Sequence, residues 1–133
     1  MNTHENTTDL PKADVFSSAC DSRAALQHLT GRWGALTVAA LQLDDAPMRF
    51  GEIRRRIDGI SDRMLSQTLG QLERDGMVVR TVHSSIPPNV DYALTDLGKK
   101  IAAPMLALIG MLEDELPQVV EAQRAYDDAH PAE

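Results

Sequence analysis

FGEIRRRIDGISDRMLSQTLGQLERDG, residues 50–76, is the stretch that decides the architecture. Phe50, Ile53 and Ile57 recur at helical spacing while Glu52, Arg54 and Arg55 point away from them, which predicts a two-turn amphipathic helix. Asp58-Gly59-Ile60 breaks it. Ser61 can accept the orphan N–H groups of a new helix, and Asp62 complements its dipole just inside. That second helix is expected to run to Asp75 and stop at Gly76, a residue suited to the left-handed position beyond a helix end. A short helix, a three-residue turn containing glycine and a second capped helix make a helix-turn-helix signature.

Working outward, the period changes from 3.6 to 2 after Gly76. Val78, Arg80 and Val82 alternate with Val79, Thr81 and His83, and later Val90, Tyr92 and Leu94 alternate with Asp91 and Ala93. Between them, residues 84–88 (Ser-Ser-Ile-Pro-Pro) read as a loop that cannot pair, because proline lacks the N–H donor. A helix-turn-helix followed at once by a hairpin is a winged helix, so the fold class is mostly α with a small β-hairpin. Thr95 caps a last helix whose seam is Leu97, Ile101, Met105, Leu108, Leu112 and Leu116, with Pro104 expected to kink it. Pro117 should end that helix, and Val119 to Asp128 can form a further short one. Upstream, Leu26, Leu29, Trp33, Leu36, Ala40 and Leu43 recur at helical spacing, divided by Gly31 and Gly34 into helices of about 22–30 and 32–43.

The chain has 133 residues, of which 43% are apolar and 25% charged, an ordinary globular composition of one domain's length. Thirteen Lys and Arg against twenty Asp and Glu leave a net charge of −7, which argues against wholesale coating of nucleic acid but not against local binding. The acid is unevenly placed: residues 46–90 hold seven bases and five acids, whereas 101–133 hold one base and seven acids. The polar start of the chain gives no expectation of a secretory signal. The longest apolar run, Ile101 to Leu112, is far below the ~20 residues of a membrane span, and the chain reads as cytoplasmic with no membrane partner. One cysteine excludes an intramolecular disulfide framework and any multi-cysteine zinc motif. No nucleophile–base pair, glycine-rich phosphate loop or metal cluster suggests an enzyme, and no cofactor is expected.

The helix starting at Ser61 carries the chemistry. Leu69 and Leu72 fall within about 40° of Leu65 on a helical wheel, forming a buried seam. Arg63, Gln67, Gly70, Gln71 and Arg74 fall on the opposite side, with no acid among them. Arginine can fork onto guanine O6 and N7 and glutamine can bridge adenine N6 and N7 in a major groove, while the glycine would let the helix approach closely. Residues near the helix start reach the bases best, which favours Arg63, Ser66 and Gln67. The bland alternative is a solvated face. Arg49, Arg54, Arg55 and Arg56 would add phosphate contacts, one or two of the four at most.

Taken together, Cys20, Leu26, Gly31-Arg32-Trp33, the run from Arg49 to Arg55, Gly59-Ile60-Ser61, the run from Arg63 to Leu69, Leu72 to Gly76, and Pro87-Pro88 through Tyr92-Ala93-Leu94-Thr95 resemble the HxlR family of winged-helix transcription regulators, related to the MarR type. The resemblance covers roughly residues 20–112. It implies a homodimer built from N- and C-terminal dimerisation helices, two wings and two recognition helices on a palindromic, double-stranded operator, and most simply a repressor. Residues 1–19 then form a flexible arm, 20–116 the winged domain with its dimerisation helices, and 117–133 a C-terminal helix and acidic tail. The DNA-binding set becomes Arg49, Arg55, Ser61, Arg63, Ser66, Gln67 and Gln71, with His83, Ser84, Ser85 and Asn89 in the wing. The dimer set is Leu26, Leu29, Met105, Leu108, Leu112 and Leu116. Asn89 stands where the family usually has a basic wing residue, and Asp21 where proline often follows the cysteine.

Several members of that family sense oxidants or electrophiles through the N-terminal cysteine, which assigns the role to Cys20. A position just before a helix start lowers a thiol's pKa, whereas the adjacent Asp21 raises it. With one cysteine per chain, reversible chemistry is an intersubunit disulfide, a mixed disulfide with a small thiol, or an adduct. A packing role for Cys20 is the alternative. His4, His28, His83 and His130 have no mutual ligand spacing, so no metal is expected, a weak Cys20–His28 pairing aside. Two other readings stay open: gating by a small apolar ligand between the dimer helices near Trp33, and a winged helix used only for protein contacts.

Overall fold

The structure is a computed structural model that describes residues 13–132, so most of the expected arm at 1–19 and residue His4 lie outside it. Six helices and a three-stranded antiparallel sheet follow in order: α1 (Asp21–Thr30), α2 (Gly34–Asp44), β1 (Met48–Arg49), α3 (Phe50–Arg56), α4 (Asp62–Arg74), β2 (Val78–Ser85), β3 (Pro88–Leu94), α5 (Asp96–Asp114) and α6 (Leu116–Ala129).

Local chemistry sets the ends of α4. The Ser61 hydroxyl accepts the Met64 N–H at 3.1 Å, satisfying one orphan donor of the first turn. At the other end Gly76 adopts φ +79°, and the Met77 and Gly76 N–H groups donate back to the Leu72 and Glu73 carbonyls at 2.9 and 3.0 Å. That reverse-wrapped closure needs the left-handed residue that glycine supplies without strain. Thr95 repeats the device: its hydroxyl accepts the Gly98 N–H at 3.0 Å and donates to the Gly76 carbonyl at 2.6 Å, tying the start of α5 to the end of α4.

The core is one cluster. Val38 and Leu41 of α2, Ile53 of α3, and Leu65, Leu69 and Leu72 of α4 meet Val78, Leu94 and Ala102, each nearly or wholly buried. Each fully buried aliphatic side chain contributes about 1.5–3 kcal/mol relative to exposure, so the helix-turn-helix is held by its own apolar seam. Close approach requires two glycines: a Cβ at Gly34 would collide with the His28 carbonyl, and one at Gly98 with that of Met77.

Three expectations are corrected. The sheet has a third strand, β1, with order β1-β3-β2 and Met48 and Arg49 opposite Tyr92 and Asp91. The stretch 84–88 is not wholly loop: Ser84 pairs with Asn89 and Ser85 with Pro88, leaving Ile86-Pro87 as the turn. Proline is tolerated there because it is the first residue of its strand. Finally, α6 begins at Leu116, three residues before the expected start, with Pro117 inside its first turn, where its missing N–H is an orphan anyway.

Candidate nucleic-acid interface

On α4 the buried side is Leu65, Thr68, Leu69 and Leu72; Arg63, Ser66, Gln67, Gly70 and Arg74 are exposed, and Gln71 is half-buried. Thr68 is buried because its hydroxyl donates to the Met64 carbonyl at 2.7 Å. A Cβ at Gly70 would meet nothing within 4 Å, so the chain's own packing does not demand this glycine. Arg63 and Arg74 make no ion pair among the described residues. Asp62, the one acid in the first turn, is engaged by Arg54 Nε at 3.0 Å. Ser61 caps the helix at the same exposed end.

The four arginines around α3 separate. Arg54 is bound to Asp62, and Arg56 donates to both Asp44 carboxylate oxygens at 2.9 and 3.0 Å. Arg49, at the start of α3, lies 3.9 Å from Asp91 Oδ1 with most of its side chain exposed. Arg55 is exposed and makes no ion pair among the described residues. The pair expected to face phosphates, Arg49 and Arg55, is thus the less committed pair.

The wing is less free than its sequence suggests. His83 sits at a bulge between Val82 and Ser84, and its Nε2 meets Asp91 Oδ2 at 2.8 Å. Asp91, opposite Thr81 and beside Arg49, therefore draws both His83 and Arg49 toward one carboxylate. Ser84 donates to the Ile86 carbonyl at 3.3 Å, and Ser85 occupies the last position of β2. Asn89 is half-buried with its Oδ1 unpartnered, so its amide is turned inward rather than fully presented at the wing tip.

Cys20 is the residue immediately before α1 and is half-buried. Its Sγ lies 3.1 Å from the Ser22 hydroxyl and accepts the Asp14 backbone N–H at 3.4 Å. The Ser22 hydroxyl, the Asp14 N–H and the Ser22 N–H hold the thiol below its ordinary pKa, against weaker opposition from burial and the Asp14 carboxylate. The acidic neighbour that matters is Asp14, brought back by a turn, and not the adjacent Asp21. His28 does not approach the thiol as a metal partner would: its Nδ1 meets Asp75 Oδ2 at 2.6 Å, joining α1 to the end of α4. Among the described residues no three His, Cys, Asp or Glu side chains are grouped to hold a metal ion.

The dimer set divides too. Leu29 is buried in the chain's own core and Met105 packs against it from the edge. Leu26, Leu108, Leu112 and Leu116 are exposed, as is Met111, at 43–65% of their surface. No residue of α6 is buried, and no helix among the described residues is long and apolar enough to cross a membrane.

The sequence pattern of the HxlR-like helix-turn-helix family matches residues 28–120. The chain belongs to that family. It is 40% identical over 111 residues to the uncharacterized HTH-type transcriptional regulator YtfH of Escherichia coli, covering 84% of this chain and 86% of the relative. The solved structure of YtfH from Salmonella typhimurium superimposes with a TM-score of 0.77 at 41% identity, over 86% of this chain and 99% of that one. The redox regulator HypR in its reduced form is similar at a TM-score of 0.66 and 32% identity, over 76% of this chain and 97% of that one. The chain is thus a transcriptional regulator with a helix-turn-helix DNA-binding fold.

In this HxlR-like regulator the residues that sequence reasoning overlooked are the ones that tune the others. Ser22, two residues beyond Cys20, was within reach of a local reading as a hydroxyl donor. Asp91 required the register of two strands and a bulge, and the Asp14 backbone donor required a turn across six residues.

Proposed function

We propose that the protein acts as a homodimer on a two-fold operator, most simply as a repressor, and that modification of Cys20 changes its affinity for DNA. The observation that carries the DNA part is the outer stripe of α4: two arginines without an ion pair among the described residues, Gln67, Ser66 and an open glycine, on a helix whose other side is wholly consumed by the core. Arg63, Ser66 and Gln67 are the base-reading residues, with Gln71 at the margin. Ser61 and the arginines 49 and 55 hold phosphates, and the wing meets the backbone through Ser84, with Asn89 joining only once its inward amide turns out. His83 contributes through its hold on Asp91 more than through a direct contact.

The dimer reading is supported by the exposed row Leu108, Leu112 and Leu116 on α5 and α6, because apolar side chains left uncovered in a row mark an interaction site, and Leu26 on α1 is exposed as well. Two-fold symmetry then sets the half-sites about one helical turn, or a multiple, apart. The thiol reading is supported by the lowered pKa of Cys20, since the thiolate is the reactive form, and by its likeness to HypR, a redox regulator known in reduced and oxidized forms. His28–Asp75 offers a mechanical route from the helix that begins just after Cys20 to the end of α4.

The test is an anisotropy titration on the DNA upstream of the protein's own gene, reduced and diamide-treated, with Cys20→Ser alongside. Diamide should change the affinity of the natural protein and leave Cys20→Ser unchanged. Identical behaviour of the two proteins would remove the thiol switch and leave the DNA reading standing.

A further inference from the structure

The central strand of the sheet, β3, carries a carboxylate between the two parts of the chain proposed to meet DNA. Asp91 stands opposite Arg49 of β1, where the helix-turn-helix begins, and opposite Thr81 of β2, the strand that leads into the wing. Its two oxygens are used differently. Oδ2 meets His83 Nε2 at 2.8 Å, and His83 lies at the bulge between Val82 and Ser84, a device that re-aims a side chain. Oδ1 is left toward Arg49, whose Nε lies 3.9 Å away, beyond hydrogen-bond range but within Coulomb reach. The Arg49 side chain is 60% exposed and that of Asp91 24%, so the guanidinium is the outer member of the pair and can turn away without disturbing the core.

We infer that Asp91 is an affinity-setting residue: it competes with DNA phosphates for Arg49, and His83 holds the carboxylate in position to do so. The inference rests on the DNA reading above. Glu52, a second acid beside Arg49, is occupied differently, since its Oε1 accepts the Arg49 backbone N–H at the start of α3. Arg55 is exposed, makes no ion pair among the described residues, and so has no such rival.

Phosphate contacts carry no sequence information. A carboxylate that must give up its arginine before a phosphate can take it therefore weakens binding to every DNA alike. What is then held is DNA that also engages Arg63, Ser66 and Gln67. A purely structural Asp91, a latch between the helix-turn-helix and the wing, predicts the opposite sign, because its removal would loosen two DNA-contacting parts at once.

The test is an anisotropy titration of the full chain on two duplexes, one from upstream of the protein's own gene and one of the same length with its sequence scrambled. Asp91→Asn keeps an oxygen that can accept from His83 while removing the charge. It should bind both duplexes about twofold more tightly, or better, at low salt, the size of effect expected of one exposed ion pair, and the gain should shrink as salt rises. On a logarithmic scale at least half of that gain should vanish in an Arg49→Gln background, and it should persist in an Arg55→Gln background. A thermal melt establishes that Asp91→Asn is folded; if it is not, Asp91→Thr, which suits a strand and lacks the charge, takes its place. Unchanged or weaker binding by the folded protein would make Asp91 a latch and overturn the inference. So would a gain that Arg49→Gln leaves intact, or that Arg55→Gln removes as fully, since Asp91 would then be a repulsive charge with no claim on Arg49. A natural protein that binds neither duplex would remove the DNA reading itself, and the inference with it.

Discussion

Helix α4 and the far half of α5 are both amphipathic, yet they face opposite ways. In α4 the leucines at 65, 69 and 72 are buried to 2% exposure or less and the polar side is outside. In α5 nothing beyond Ala102 is fully buried, and Leu108, Met111 and Leu112 stand 55–65% exposed. The first helix is satisfied by its own chain and offers hydrogen-bonding groups to a polar polymer. The second is satisfied only when another apolar surface covers it. Under the proposed function, one chain divides recognition of nucleic acid and recognition of a second copy between two helices.

The comparison can be broken most forcefully at α4's outer face. Arg63→Ala with Gln67→Ala should lose roughly 2–6 kcal/mol of operator affinity, at least about thirtyfold, since each paired contact to a base edge is worth about 1–3 kcal/mol. The melting temperature should not move, because neither side chain is buried. An anisotropy titration beside a thermal melt reads both. Next in size is a contrast of leucines. Leu65→Ala should cost about 2–5 kcal/mol of folding stability in urea, as a cavity in a closed core does. Leu112→Glu should leave the fold of a single chain nearly unchanged while dissociating the assembly, seen as a drop in mass on sedimentation.

Smaller effects sharpen the same division. Ser61→Ala removes the α4 cap and should cost about 0.5–2 kcal/mol of stability, measured by denaturant titration. Smallest is Ser22→Ala, beside the thiol of Cys20. Loss of the hydroxyl donor to Sγ destabilises the thiolate, so the Cys20 pKa should rise and less thiolate should be present at neutral pH. The pH profile of iodoacetamide alkylation should therefore move to higher pH, with slower alkylation near pH 7.

Why α4 was legible in the sequence and other features were not has a physical basis. Caps, glycine stops and a 3.6-residue period act over a few residues, so Ser61, Gly76 and the leucine seam announce themselves locally. β1 has only two residues and no period of its own; it exists because Met48 and Arg49 find partners in Tyr92 and Asp91, more than forty positions away. The Pro88 pairing escaped for the reverse reason, since the loss of a donor matters little at the first position of a strand. At the candidate interface the residue types on α4 were readable, but which arginines are free was not. Arg54 and Arg56 are taken by Asp62 and Asp44, and His83 by Asp91, contacts that chain spacing alone does not reveal.

The central claim is that α4 grips DNA through exposed basic and amide side chains, and the salt dependence of binding tests it most directly. Affinity for the upstream DNA, measured by anisotropy across a series of salt concentrations, should fall linearly on logarithmic axes, with a slope of about −0.9 for each phosphate neutralised. The Arg63→Ala, Gln67→Ala protein should lie far below the natural one along the whole line. Binding that is flat in salt, or that the double substitution leaves intact, would contradict the account.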